Sequence, residues 1–203
     1  MDLVPVAAPA AYLAACPAVD HHHPVVRDVA ARLRADVSPG SRPRSGRGHP
    51  RDAVAFASAA FHHVRDRVRH SMDSGEEHVT WRASDVLARS TGICYAKAHA
   101  LAALLRSQGL PAALCYQRLE VVHGLVAVRL PGRPWLRLDP RGDGPGVVSR
   151  FSPDEEHLPY TPARELGEYD DPRLYAEPHP VPLAVLRRAR SRTELETMLP
   201  REL

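Results

Sequence analysis

An α+β fold, with one helix packed on an antiparallel sheet, is predicted by three features of this 203-residue sequence. The residues Cys94, Ala98, Leu101 and Leu105 recur at helical spacing, and the pattern stops at Gly109 and Pro111. Three β-like segments follow, "AALCYQRL", "HGLVAVRL" and "WLRLD", the last two joined by the turn Pro131-Gly132-Arg133-Pro134. Upstream, a helix from about Asp52 to His70 would bury Val54, Phe61, Val64 and Val68 on one face.

The remaining elements are read in chain order. Pro24 suits the first position of a helix whose apolar stripe is Val25, Val26, Val29 and Leu33. Ser38 to Arg51, "SPGSRPRSGRGHPR", reads as a linker. "ASDVLARS" is a short helix with Ser84 as candidate N-cap, and "GVVSRF" a candidate edge strand. Ser152 to Pro182 is Pro-rich and irregular, wrapping over the domain, and "PLAVLRRARSRTELETMLP" closes the chain with one or two helices. The expectation is a single domain, 1–203, with its core at about 50–151. The N-terminal helix and the C-terminal helical wrap are appendages.

Composition narrows the classes. The chain is 44% hydrophobic but only 5% aromatic, so its core is built mainly from Ala, Val and Leu. A net charge of +3 is mild and points to neither nucleic acid nor membrane. Arg42, Arg44, Arg47 and Arg51 lack the interleaved aromatics that stack on bases. Cys16, Cys94 and Cys115 make no disulfide framework, so a cytoplasmic location is expected. "LAAC" (Leu13 to Cys16) follows a stretch with Asp2 and no Lys or Arg, so a lipidated leader is not expected. "DHHHP" (Asp20 to Pro24) has no metal-ligand spacing and reads as a solvated helix entry; neither a metal nor a cofactor is expected. "PDEEH" (Pro153 to His157) reads as a solvated acidic turn.

The chemistry gathers around Cys94. It opens its helix, where unsatisfied backbone N–H groups and the positive dipole end favour a thiolate. His123 begins one strand and Asp139 ends the next. A hairpin centred on Pro131 would set the two opposite each other on one face, at one edge of the sheet. Only Glu120, Val121 and Val122 separate "CYQRL" from His123, so the chain either runs through or turns tightly around Glu120. Trp81 is a candidate second oxyanion donor. Lys97, the only lysine, either binds an acidic substrate group, adds to the thiolate's positive field, or lays its stem along the helix with its head in water, the last being preferred. Tyr116 is a candidate lining residue, and Cys115 is read as packing.

At these residues the chain resembles the transglutaminase-like superfamily of papain-like cysteine enzymes, its bacterial members above all. The resemblance rests on "G-x-C" (Gly92, Cys94), "LAALLRSQGLPA", the strand opened by His123, and Trp135, Asp139 and Pro140 as "W-x-x-x-D-P". "RASDVL", "CYAKAHALAALL", "CYQRL" and "RFSP" add to it, over most of residues 10 to 200. Two departures are a shorter run before His123, and Gly124 and Leu125 where many relatives carry an aromatic after the histidine. The resemblance implies a Cys94–His123–Asp139 triad performing acyl transfer on a peptide or small amide, by hydrolysis or transglutamination, through a thioester. Two rivals stand beside it. One is a catalytically silent member acting as a binding or scaffolding module. The other is an arylamine N-acetyltransferase-like enzyme, which shares the Cys–His–Asp order.

Overall fold

The structure, a computed structural model, describes residues 1–37, 50–144 and 147–203. Arg42, Arg44 and Arg47 of the basic segment lie outside the described residues. Helices α1 (Pro24–Val37) and α2 (Pro50–Arg67) are laid down first. Strand β1 (Val4–Pro5) precedes them, and β2 (Arg69–His70) and the one-turn α3 (Ser71–Ser74) follow. Next come α4 (Ala83–Arg89), β3 (Thr91–Gly92) and α5 (Cys94–Ser107). Strands β4 (Ala112–Arg118), β5 (Val122–Arg129) and β6 (Trp135–Leu138) carry the sheet. The chain ends with β7 (Tyr169–Asp170), β8 (Arg173–Leu174), α6 (Pro180–Arg188) and α7 (Arg192–Thr197). Among the described residues no helix is long and apolar enough to cross a membrane.

The α+β class predicted by the sequence is what the chain adopts. The main sheet is antiparallel in the order β6-β5-β4-β7. Its pleat sorts the side chains by parity. Leu114, Tyr116, Val126 and Val128 join the core with α5, while Ala113, Cys115, Leu125 and Ala127 form a second cluster with Tyr12 and Leu174. Among the described residues of "GVVSRF" only Val147 pairs, in a bridge to Gly144, and the fourth strand comes instead from β7 beside β4.

Helix α5 departs from the one-faced helix its stripe suggested. Every residue but Ser107 is buried, because α1, α2 and α4 cover the side away from the sheet. Its C-terminus closes as a Schellman motif. Gly109 takes φ +71°, its N–H donates to Arg106 O, and Leu110 N–H donates to Leu105 O, before Pro111 ends the turn. Arg106 then ties three segments together from within: its guanidinium donates to the carbonyls of Ala112, Ala14 and Ala176. Arg106→Met removes that donor from all three carbonyls, of which Ala112 O is buried. A loss of about 3 kcal/mol is expected, read as a lowered urea midpoint at unchanged slope.

Two helix boundaries differ from expectation. Helix α2 stops at Arg67, and His70 belongs to β2, which pairs in parallel with β3 so that His70 lies opposite Gly92. Ser84 is not the N-cap of α4. It sits in the first turn, its backbone N–H and hydroxyl both donating to the Asp20 carboxylate, which gives the "DHHHP" entry a capping role.

The acidic segment after β6 is solvated, as expected, with Asp154, Glu155, Glu156 and His157 all exposed, but it is also tied down. Glu156 bridges the Arg137 guanidinium, which also reaches Asp170, and Asp154 pairs with Arg133. These pairs hold residues 153–160 as a strap that runs from the Arg133 turn along the sheet to Tyr160 beside His123.

Candidate active site

Strand β6 runs beside only the second half of β5, pairing Val126 with Leu138 and Arg129 with Trp135. The turn is thus centred on Gly132, one residue beyond Pro131. His123 and Asp139 become diagonal neighbours on one face rather than directly opposed, a separation a side chain still spans. The short run before His123 is a tight turn: Arg118 pairs with Val122, Gln117 with His123, and Leu119 to Val121 form the loop. Val122 to Leu125 have no β6 partner, and against this stretch lies the first turn of α5.

That approach depends on Gly124. A Cβ there would stand 2.7 Å from Tyr95 Cδ1, 3.2 Å from Tyr95 Cα and 3.3 Å from Tyr95 N. The Tyr95 hydroxyl donates to Val122 O, pinning the helix start to the strand. Cys94 is the first residue of α5, and the earliest helical N–H to find a backbone partner is Lys97, on Ile93 O. The thiol therefore sits at the positive end of the helix dipole.

His123 and Asp139 are brought together. His123 Nε2 lies 2.7 Å from Asp139 Oδ2, while Asp139 Oδ1 accepts from the Arg141 N–H at 2.9 Å and the Asp139 carbonyl from the Ser149 hydroxyl. With Nε2 held by the carboxylate, Nδ1 is the ring atom left for the sulfur. Tyr160, on the strap, stands edge-on to the His123 ring at 5.0 Å. Burial disfavours charge on His123, but Asp139 and the Cys94 sulfur outweigh it and raise the imidazole's pKa. Burial likewise pushes the Cys94 thiol up. The His123 charge and hydrogen bond, with a smaller contribution from His70, outweigh that burial and bring it well below a free thiol. Both shifts favour the thiolate–imidazolium form.

His70 was not read from the sequence as a site residue. It lines the same cavity as Cys94 and His123, its side chain is 10% exposed, and its Nδ1 lies 3.7 Å from Asp73 Oδ2. Asp73 is itself gripped by both Arg141 guanidinium nitrogens, at 2.9 and 3.0 Å. A two-residue parallel strand leaves no periodicity, so the only sequence cue was the break after Val68.

The three auxiliary candidates are elsewhere. Trp81 does not line the Cys94 cavity; its ring lies between the Arg82 and Arg187 guanidiniums, at 4.6 and 5.4 Å, and its carbonyl faces His99 Nδ1. Lys97 is fully buried rather than extended into water. Its ammonium donates to Val68 O and Arg65 O at the C-terminal end of α2, where cations are favoured, and burial lowers its pKa to about 8. Tyr116 is core: its hydroxyl accepts from the His179 N–H at 2.9 Å and its ring packs on Tyr175 and His179. Cys115 is buried in the second cluster, as expected, and burial pushes its thiol pKa up.

No curated protein matches this chain. Among solved structures, a candidate cysteine protease from Cytophaga hutchinsonii is similar at 16% identity and a TM-score of 0.45, over 66% of this chain and 42% of that one. The sequence model of the transglutaminase-like superfamily matches residues 43–140, an interval that contains Cys94, His123 and Asp139. Over residues 43–140 the chain is thus similar to the core of the transglutaminase-like superfamily.

Proposed function

We propose that this protein is a cysteine-dependent enzyme that transfers the acyl group of an amide to water or to a primary amine. The observation that carries the reading is one cavity in which a helix-opening thiol and a carboxylate-bound imidazole stand together, each favouring the other's charge. In the first half-reaction the Cys94 thiolate attacks the amide carbonyl carbon, forming the S–C bond and sending the carbonyl π pair onto oxygen. The Cys94 N–H stabilises that oxyanion. His70 replaces Trp81 as the second donor, because its ring is the other N–H group beside the sulfur. Collapse breaks the C–N bond, and the His123 imidazolium gives its proton to the departing nitrogen, leaving a thioester and neutral imidazole. In the second half-reaction His123 takes a proton from water or amine as it attacks the thioester, and the thiolate departs. Asp139 keeps the imidazole oriented and its charge stabilised throughout.

The test is alkylation. Cys94 is expected to react with iodoacetamide at pH 6 faster than a free small-molecule thiol, with the adduct located by peptide mass. Reaction no faster than the free thiol refutes the ion pair and the proposal with it.

A further inference from the structure

We infer that the acyl group accepted here is apolar, and that the C-terminal segment helps to select it. This rests on the acyl-transfer reading above and names its substrate class. The cavity at Cys94 holds about 350 Å³, at the small end for a ligand site, enough for one bulky side chain or a short acyl chain. Around the reacting groups its walls are Met72, Ile93, Leu119, Val121, Tyr160 and Leu199. Apart from the two histidines and the thiol, the charged groups at this cavity are Glu120 and Arg141. The Arg141 guanidinium is already committed to Asp73 through two bonds. A carboxamide entering among these walls finds few groups to replace its hydrogen bonds to water, Glu120 and the Tyr160 hydroxyl apart, whereas a methylene gains by leaving water.

Leu199 reaches the cavity because the chain end is fastened beside it. The Val122 N–H donates to Pro200 O at 2.7 Å, and Arg118 pairs with Glu202 at 2.9 Å. Both anchors flank the Leu119–Val121 turn, so the tail and the turn that leads into His123 form one wall. Leu199 is thereby a specificity-determining residue for chemistry at Cys94.

The experiment uses the full chain and p-nitrophenyl esters of acetate, butanoate and hexanoate, with the carboxamide-ended succinamate as polar comparison. Phenolate release is normalised to the rate with a free thiol and blanked with Cys94→Ala, and the acyl adduct on Cys94 is weighed. In each acylation the sulfur–carbon bond forms and the carbon–oxygen bond breaks, with p-nitrophenolate leaving. The expected result is a rise of about fourfold per methylene, one buried CH₂ (~0.8 kcal/mol) converted at 1.36 kcal/mol per tenfold. Succinamate is expected to acylate at least tenfold more slowly than hexanoate. Leu199→Asp should flatten the chain-length dependence, while Leu199→Met, similar in volume, keeps it. A flat series, or succinamate as the fastest ester, overturns the inference while leaving the acyl-transfer reading in place. If no ester leaves an adduct and iodoacetamide shows no preference for Cys94 at pH 6, the reading itself fails and the inference with it.

Discussion

His123→Ala is expected to slow iodoacetamide attack on Cys94 at pH 6 by at least tenfold and to cut turnover of any accepted substrate by about 10²- to 10⁴-fold. The two effects separate the ring's two duties. Without the imidazolium a thiol of ordinary pKa, about 8.5, is only a few parts per thousand thiolate at pH 6. Against that gain, a thiolate of lower pKa is a weaker nucleophile, which returns part of the advantage and sets the lower bound at about tenfold. Burial of the sulfur works in the same direction as removal of the charge, since it already pushes the thiol up and is then unopposed except by His70. Turnover suffers more because the leaving nitrogen also loses its acid. His70→Ala should slow alkylation less than His123→Ala, as His123 lowers the thiol more than His70 does. If the order is reversed, the assignment of base and donor is wrong.

The pH profile follows with a definite sign. The Cys94 pKa is lowered and the His123 pKa raised, so the reactive pair exists between them. Activity should rise on an acid limb as the sulfur loses its proton. It should fall on an alkaline limb as His123 loses the proton it must donate. Asp139→Asn removes the leading influence that raises His123 and should draw the alkaline limb downward, narrowing the plateau. A profile unchanged in Asp139→Asn would mean that the 2.7 Å bond to His123 carries no electrostatic role.

Much of this site was legible because it lies on elements with strong periods and clear punctuation. The period of two in β4 and β5, and the helix stopped by Gly109 and Pro111, set Cys94, His123 and Asp139 at element ends. A one-residue error in the turn centre left His123 and Asp139 on the same face, because the pleat repeats every two residues. What was not legible depends on contacts far apart in sequence. Lys97 is buried because the end of α2 presents carbonyls to it, and Glu156 is clamped because Arg137 projects from the outer face of β6. His70 is placed by a bridge of two residues to Thr91 and Gly92, too short to impose a pattern. Leu199 lies more than a hundred residues from Cys94, and it is brought near by the tail's anchors at Val122 and Arg118 and by the bonds of Arg192 and Thr193 to Glu77.

Gly124→Val is expected to be the most disruptive single change outside the reacting groups, and it tests why the thiol is where it is. Even the first carbon of a side chain would stand 2.7 Å from the Tyr95 ring and within 3.3 Å of two Tyr95 backbone atoms. The ring cannot swing aside cheaply, being 1% exposed and bonded through its hydroxyl to Val122 O. The start of α5 must therefore move off β5, carrying Cys94 away from His123. Gly124→Ala should cost about 1–3 kcal/mol as overpacking, and Val more, read from the urea midpoint. Alkylation at pH 6 should fall toward the free-thiol rate in whatever fraction stays folded. Gly144→Ala is the control: a Cβ there meets nothing within 4 Å, so stability and alkylation should both hold to within about 0.5 kcal/mol and the scatter of the assay. Should Gly124→Ala leave both readings untouched, the close approach of helix to strand is not what sustains the thiolate. The pairing of Cys94 with His123 would then need another cause.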